Sequence, residues 1–179
     1  NQRRYSVVVN ANRNHARYAR LGYPVIFDLR ADFQGPLAGI EACLRHVSIG
    51  PVVIVPTDMP DLPADLPDRL LARLTGRSIV IAHDGHRTQP LCMALFAEHW
   101  QDSLQQSLDQ GTRSVHKWLS DKPLVQVVFD QAVPFCNIND VNDLGVCKDR
   151  IGQQDAQMPL IGYDRGMTIK AANDRHQLL

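Results

Sequence analysis

The chain has 179 residues, which suits about one domain of ordinary size, roughly 100–200 residues. Lys+Arg and Asp+Glu number 19 each, so the formal net charge is zero, and the basic excess of a general nucleic-acid binder is missing. With 44% hydrophobic and 21% charged residues the composition is that of a globular chain rather than a disordered one, and no apolar run approaches the roughly 18 residues of a membrane span. Neither nucleic acid nor membrane is therefore expected as a partner. Asn1–Tyr5 lacks the apolar centre of a secretory signal, and the four cysteines (Cys43, Cys92, Cys136, Cys147) form no CxxC pair. Cys43 and Cys92 sit in apolar stretches and read as reduced core thiols, so a cytoplasmic protein is expected.

Ser6–Asn10 is a short β-branched run and reads as a buried strand. His15–Leu21 reads as a helix that Gly22 stops. Pro24–Asp28 is a second strand and Leu29–Pro36 a loop. In Leu37–Val47 the apolar positions 37, 40, 44 and 47 lie on one helical face. Pro51–Val55 is the most hydrophobic strand, and Pro56–Pro60 ends it. A helix over Asp65–Leu74 and a strand over Ser78–Ala82 follow, and then a turn, His83–His86, with an Asp-Gly pair. Gln89–Phe96 reads as a strand, Glu98–Leu108 and Ser114–Leu119 as helices, Leu124–Phe129 as a strand and Asp140–Lys148 as a last helix. This alternation predicts an α/β domain with a mainly parallel sheet over residues 1–150. Periodicity fades from Gly152, and residues 151–179 read as an unassigned tail.

Ligands of such sheets gather outside the carboxyl ends of the strands. Those positions hold Asn10, Ala11 and Asn12, then Asp28, then Thr57-Asp58-Met59-Pro60, and late in the chain Asn137-Ile-Asn139. Short acids and amides recur there, with no Ser–His triad. Singly, each residue could be turn punctuation; together they suit phosphate, metal and base recognition. Asp58, held between prolines after a hydrophobic strand, is of the type that holds Mg²⁺ beside substrate phosphates. Asp61 and Asp65 follow at a helix entrance, where they would serve its dipole. Gly35 and Gly39 in Gln34-Gly-Pro-Leu-Ala-Gly39 remove side chains where a ligand or backbone must come close. His83, His86, His99 and His116 lack metal-ligand spacing. Arg3, Arg4, Arg13, Arg17 and Arg20 form a basic opening segment without acids, read as a solvated face.

Val7-Val-Val-Asn-Ala-Asn12, Val25-Ile-Phe-Asp28, Asp32-Phe-Gln-Gly-Pro-Leu-Ala-Gly39, Pro56-Thr-Asp-Met-Pro60 and Asn137-Ile-Asn139, in this order and spacing, resemble the molybdenum cofactor guanylyltransferase family. His83-Asp-Gly85, Gln89-Pro-Leu91 and Gly111-Thr-Arg113 resemble its later segments, and the likeness spans roughly residues 1–150. The resemblance implies a Rossmann-like, GT-A-like nucleotidyltransferase fold, a three-layer α/β/α sandwich. It implies transfer of GMP from GTP to the terminal phosphate of molybdopterin or molybdenum-molybdopterin, with pyrophosphate leaving and Mg²⁺ as cofactor. Carried over by position, Asp58 is the catalytic metal ligand. Asn10, Asp28, Gly35, Gly39 and Asp58 bind the nucleotide, with Asn10 and Asp28 on guanine. Asn137, Asn139, Gln89 and Arg113 fall near substrate or metal. Other cofactor-assembly proteins and recipient molybdoenzymes are the further partners implied. The family's first strand and its Gly-rich triphosphate loop have no counterpart before Asn1. The expectation is an N-terminally incomplete copy, inactive alone and poor at binding GTP, with a gap inside its sheet that the tail has no apolar strand to fill. Two other readings are a nucleotidyltransferase for another base, of cytidylyl or sugar-phosphate type, and a non-catalytic domain that binds nucleotide or partner proteins.

Overall fold

The computed structural model describes residues 5–32, 34–129, 135 and 167–172. Short, largely apolar runs build one mixed sheet from β1 (Tyr5–Asn10), β2 (Val25–Ile26), β3 (Pro51–Pro56), β4 (Ile79–His83), β5 (Thr88–Phe96), β6 (Leu124–Val128) and β7 (Met167–Ala172). The strand order is β2-β1-β7-β3-β5-β4-β6. From the pairings, β1, β2, β3, β4 and β6 all run one way, while β5 and β7 run against them. The mainly parallel direction read from the sequence is therefore present.

Period-two strands put successive side chains on opposite faces. Val52, Ile54, Ile79, Ile81, Met93 and Leu95 face one core, which α2 (Pro36–Val47), α4 (Ala97–Asp109) and α5 (Val115–Leu119) cover. Val53, Val55, Val80, Ala82, Cys92 and Ala94 face the other, with Leu66 and Leu70 of α3 (Leu66–Leu71). Helices on both faces make the expected α/β/α layering. α1 (His15–Ala19) adds Tyr18 to a small cluster with Val9 and Ala11. The helices on the first face are joined by polar contacts as well. Gln101 donates to the carbonyls of Leu44 and Ser48 at 2.9 and 2.7 Å, closing the C-terminal end of α2.

The predicted elements that fall on described residues are all found, with shorter ends in places. The second strand keeps only Val25–Ile26, and the helix predicted over Asp65–Leu74 keeps Leu66–Leu71. The helix predicted over Asp140–Lys148 lies outside the described residues. One expectation is corrected. The tail does supply a strand: β7 pairs with β1 from Tyr5↔Ala172 to Asn10↔Met167 and with β3 from Val52↔Ala171 to Pro56↔Met167, antiparallel to both. No gap is left between β1 and β3. Lys170, Ala171 and Ala172 are weak strand formers, so local propensity hides this strand. It forms because ladders on both of its edges satisfy its backbone.

Cys43 and Cys92 are buried and free of disulfides, as read from their surroundings. Burial, aided by the charge of Asp28, pushes the Cys43 thiol far above its ordinary range. Burial, aided by the charge of Asp58, pushes Cys92 up to about 12. Neither thiol is a nucleophile at neutral pH, because the thiolate is the reactive form.

Candidate active site

Because β1, β2, β3, β4 and β6 share a direction, their carboxyl ends meet at one edge of the sheet, where β5 and β7 begin. Asn10 and Pro56 both stand opposite Met167 in register. The ends of β1 and β3 are thus separated by β7, a distance of about 10 Å at ordinary strand spacing. A nucleotide can bridge such a gap.

At the β1–β2 end, three polar residues close on one another. The Asn10 side-chain amide donates to Asp28 Oδ1 at 3.1 Å, and the Asn12 amide donates to Asp28 Oδ2 at 2.7 Å. The Asp28 backbone N–H donates to Asn12 Oδ1 at 2.9 Å. Asn10 is buried, while Asn12 and Asp28 are half-buried. Each oxygen of Asp28 accepts one bond here, and a carboxylate oxygen has room for another. The predicted pair Asn10 and Asp28 is brought together. Asn12 belongs with them, and its signal was the Asn-Ala-Asn spacing, which puts both amides on one side of an extended strand.

Asp58 stands two residues beyond β3, half-buried. Among the described residues its side chain makes no hydrogen bond or ion pair. Gly35 caps the start of α2 with φ 85° and ψ −172°, a conformation essentially confined to glycine. Pro36 follows at the first helical position, where its missing N–H costs nothing. A Cβ on Gly35 would lie 3.9 Å from the Arg113 carbonyl oxygen, so this entrance abuts the loop before α5. The Arg113 guanidinium donates to the carbonyls of Leu108 and Thr112 at 2.8 and 3.0 Å, closing the end of α4. Gly39 is buried within α2. Asn137 and Asn139 lie outside the described residues.

Gln89 is buried at the start of β5, and its amide donates to Asp84 Oδ2 at 2.6 Å. Asp84 also accepts from the backbone N–H groups of His86 and Arg87, each at 2.8 Å. Burial pulls the Asp84 carboxyl upward, but these hydrogen bonds and the Arg87 charge outweigh it and hold the carboxyl below its ordinary range. A depressed folded-state value stabilises the fold at pH above the unfolded value, about 3.9. That stabilisation fades as pH falls through the lower folded value. Asp84→Ala should cost about 1–3 kcal/mol at neutral pH, since it also strands the buried Gln89 amide. Urea unfolding of both proteins checks this: the difference should shrink in strong acid, and an equal difference at both pH values would count against it.

Sequence reasoning did not single out Arg30 and Glu41. Arg30 Nε and Nη2 donate to the two Glu41 oxygens at 2.7 and 2.8 Å, and Nη1 lies 2.7 Å from Asp109 Oδ1. Glu41 is only 5% exposed. This fork ties the segment after Asp28 to α2 and α4. Among the described residues no three His, Cys, Asp or Glu side chains group as a metal cage, and no helix is long and apolar enough to cross a membrane.

Two solved structures share this architecture. The molybdopterin-guanine dinucleotide biosynthesis protein A of Archaeoglobus fulgidus matches with a TM-score of 0.58 at 24% identity, over 76% of this chain and 74% of that one. A protein described as putative from Aquifex aeolicus matches with a TM-score of 0.61 at 15% identity, over 70% and 66%. At these identities they show the fold, a Rossmann-like α/β sandwich whose carboxyl edge is the place for a ligand. The model of the MobA-like NTP transferase domain matches residues 2–133. A protein of Cupriavidus metallidurans named molybdenum cofactor guanylyltransferase is 40% identical over 146 residues, 78% of this chain and 71% of its own length. One of the same name from Shewanella woodyi is 38% identical over 136 residues, 74% and 69%. The chain belongs to the MobA-like NTP transferase family.

Proposed function

We propose that the protein transfers the guanylyl group of GTP to the terminal phosphate of molybdopterin, in its free or molybdenum-loaded form. The observation that carries this reading is one sheet edge with an amide-held carboxylate at one end and, at the other, a carboxylate that no described residue engages. It stands in a chain 38–40% identical to proteins named for this reaction. The free lone pairs of Asp28 face the ring N–H and exocyclic amine of guanine. Adenine presents an acceptor at the ring position, which would leave a carboxylate oxygen unpaired at a cost of about 1–3 kcal/mol. Gly35 and Gly39 let the nucleotide come close to the start of α2.

Asp58 fits a divalent cation. Mg²⁺ is commonly held by one or two carboxylates together with substrate phosphates and water, so no three-ligand cage is needed. When bound, the cation neutralises charge developing on the phosphates. The chain needs no general base. The second pKa of a phosphate monoester is near 6, so the attacking phosphate is already largely dianionic at neutral pH. Its oxygen bonds to the α-phosphorus of GTP, the bridge from the α- to the β-phosphate breaks, and pyrophosphate departs with the electron pair. The chain's work is positioning and charge stabilisation. The buried, free thiols of Cys43 and Cys92 suit a cytoplasmic enzyme.

Asp28→Asn tests the reading. It replaces one acceptor by a donor facing the donors of guanine, so GTP binding should fall at least about tenfold while CTP binding stays where it was. Calorimetric titration of both nucleotides into the full-length protein measures this. Equal losses for GTP and CTP would make Asp28 a loop-holding residue and not a reader of the base.

A further inference from the structure

We infer that Asn12 is a positioning residue for base selection, the group that aims the Asp28 carboxylate; this rests on the guanine-reading role proposed for Asp28. The parallel ladder between β1 and β2 runs through the Val9 N–H on Pro24 O at 2.9 Å and the Ala11 N–H on Ile26 O at 3.0 Å. Beyond these bonds the next donor of the second strand, the Asp28 N–H, goes to the Asn12 side-chain oxygen at 2.9 Å instead of to backbone. The Asn12 side chain thus stands in for a peptide group at the end of the ladder. The other half of the same amide donates to Asp28 Oδ2 at 2.7 Å. One planar group therefore holds both the backbone and the carboxylate of Asp28.

The clamp has a chemical requirement. It needs a donor and an acceptor on separate atoms of one short planar side chain, which asparagine has; aspartate lacks the donor, alanine lacks both, and serine carries both on a single oxygen. Asn10 holds the other oxygen from the buried end of β1 at 3.1 Å. With one donor on each oxygen, the carboxylate is fixed in rotation before any ligand arrives. Two-point recognition of guanine depends on that fixed rotation, whereas a single hydrogen bond tolerates a turning carboxylate. Asn12 does not need to touch the nucleotide to have this effect.

The test compares GTP with ITP, which lacks the exocyclic amine and so reports the second hydrogen bond alone. Binding of each nucleotide to the full-length protein is measured by calorimetry, with transferase kcat and KM and thermal melting in parallel. Asn12→Asp keeps the size and the acceptor for the Asp28 N–H but loses the donor to the carboxylate; Asn12→Ala loses both. Both variants should lower the GTP-over-ITP preference by roughly three- to tenfold, the scale set by freeing one ordered side chain. The loss should appear in KM for GTP, with kcat little changed. If Asn12→Ala does not fold, Asn12→Asp alone decides. A wild type that prefers GTP, with variants that keep the whole preference, overturns the role of Asn12. A wild type that binds GTP and ITP equally overturns the reading of Asp28 itself, and this inference with it.

Discussion

Asp58→Ala should lower kcat by roughly a thousandfold. A metal-directed carboxylate at a phosphoryl-transfer centre contributes several kcal/mol, and each 1.36 kcal/mol is about tenfold in rate. The fold should be unaffected, because the half-buried Asp58 side chain makes no hydrogen bond or ion pair among the described residues. Melting temperature and guanine binding therefore remain near those of the wild type while turnover collapses. Asp58→Asn, equal in size but without the charge, should behave in the same way. Asp61→Ala should matter far less. Magnesium-dependent turnover within tenfold of the wild type in Asp58→Ala would remove the residue from the mechanism.

Arg30→Ala carries the largest stability effect expected. It leaves the Glu41 carboxylate, 5% exposed against 20% for Arg30, buried without its bidentate partner. Breaking a buried pair from one side costs about 3–5 kcal/mol, a fall in Tm of roughly 6–20 °C for a chain of this size. A double change, Arg30→Met with Glu41→Leu, removes both charges and should recover much of the loss. Because the same fork steadies the segment following Asp28, Arg30→Ala should also weaken GTP binding. Thermal melting of the three proteins checks the ranking, and a single variant that melts with the wild type would show that water already reaches Glu41.

The layered core was legible because its signals are periodic or continuous. The positions 37, 40, 44 and 47 give α2 its apolar face, and the unbroken apolar run of Pro51–Pro56 marks β3 as buried on both faces. Gly35 stood out as a position where a side chain is removed, and the structure adds a further reason in a backbone angle that only glycine takes readily. The residues at the strand ends were legible from the rule for parallel sheets, and Asn10 and Asp28 do meet. What stayed hidden is pairing between distant, non-periodic positions. Arg30 finds Glu41 and Asp109 across a loop and two helices. The Gln89 amide finds Asp84 across a tight turn. β7 was hidden for a related reason: its stability lies in two ladders with β1 and β3, and of its six residues only Thr168 and Ile169 favour a strand strongly. Asn12 was visible at the strand end, but its use of one amide for both backbone and carboxylate is a matter of geometry.

Transfer of label tests the central claim most directly. The full-length protein is incubated with magnesium, molybdopterin and GTP labelled at its α-phosphate, and the products are separated. The account predicts that the label moves into a molybdopterin–guanine dinucleotide while pyrophosphate leaves unlabelled, and that α-labelled CTP gives little product. Label recovered only as unreacted GTP or its hydrolysis products, or transferred equally from GTP and CTP, would contradict it.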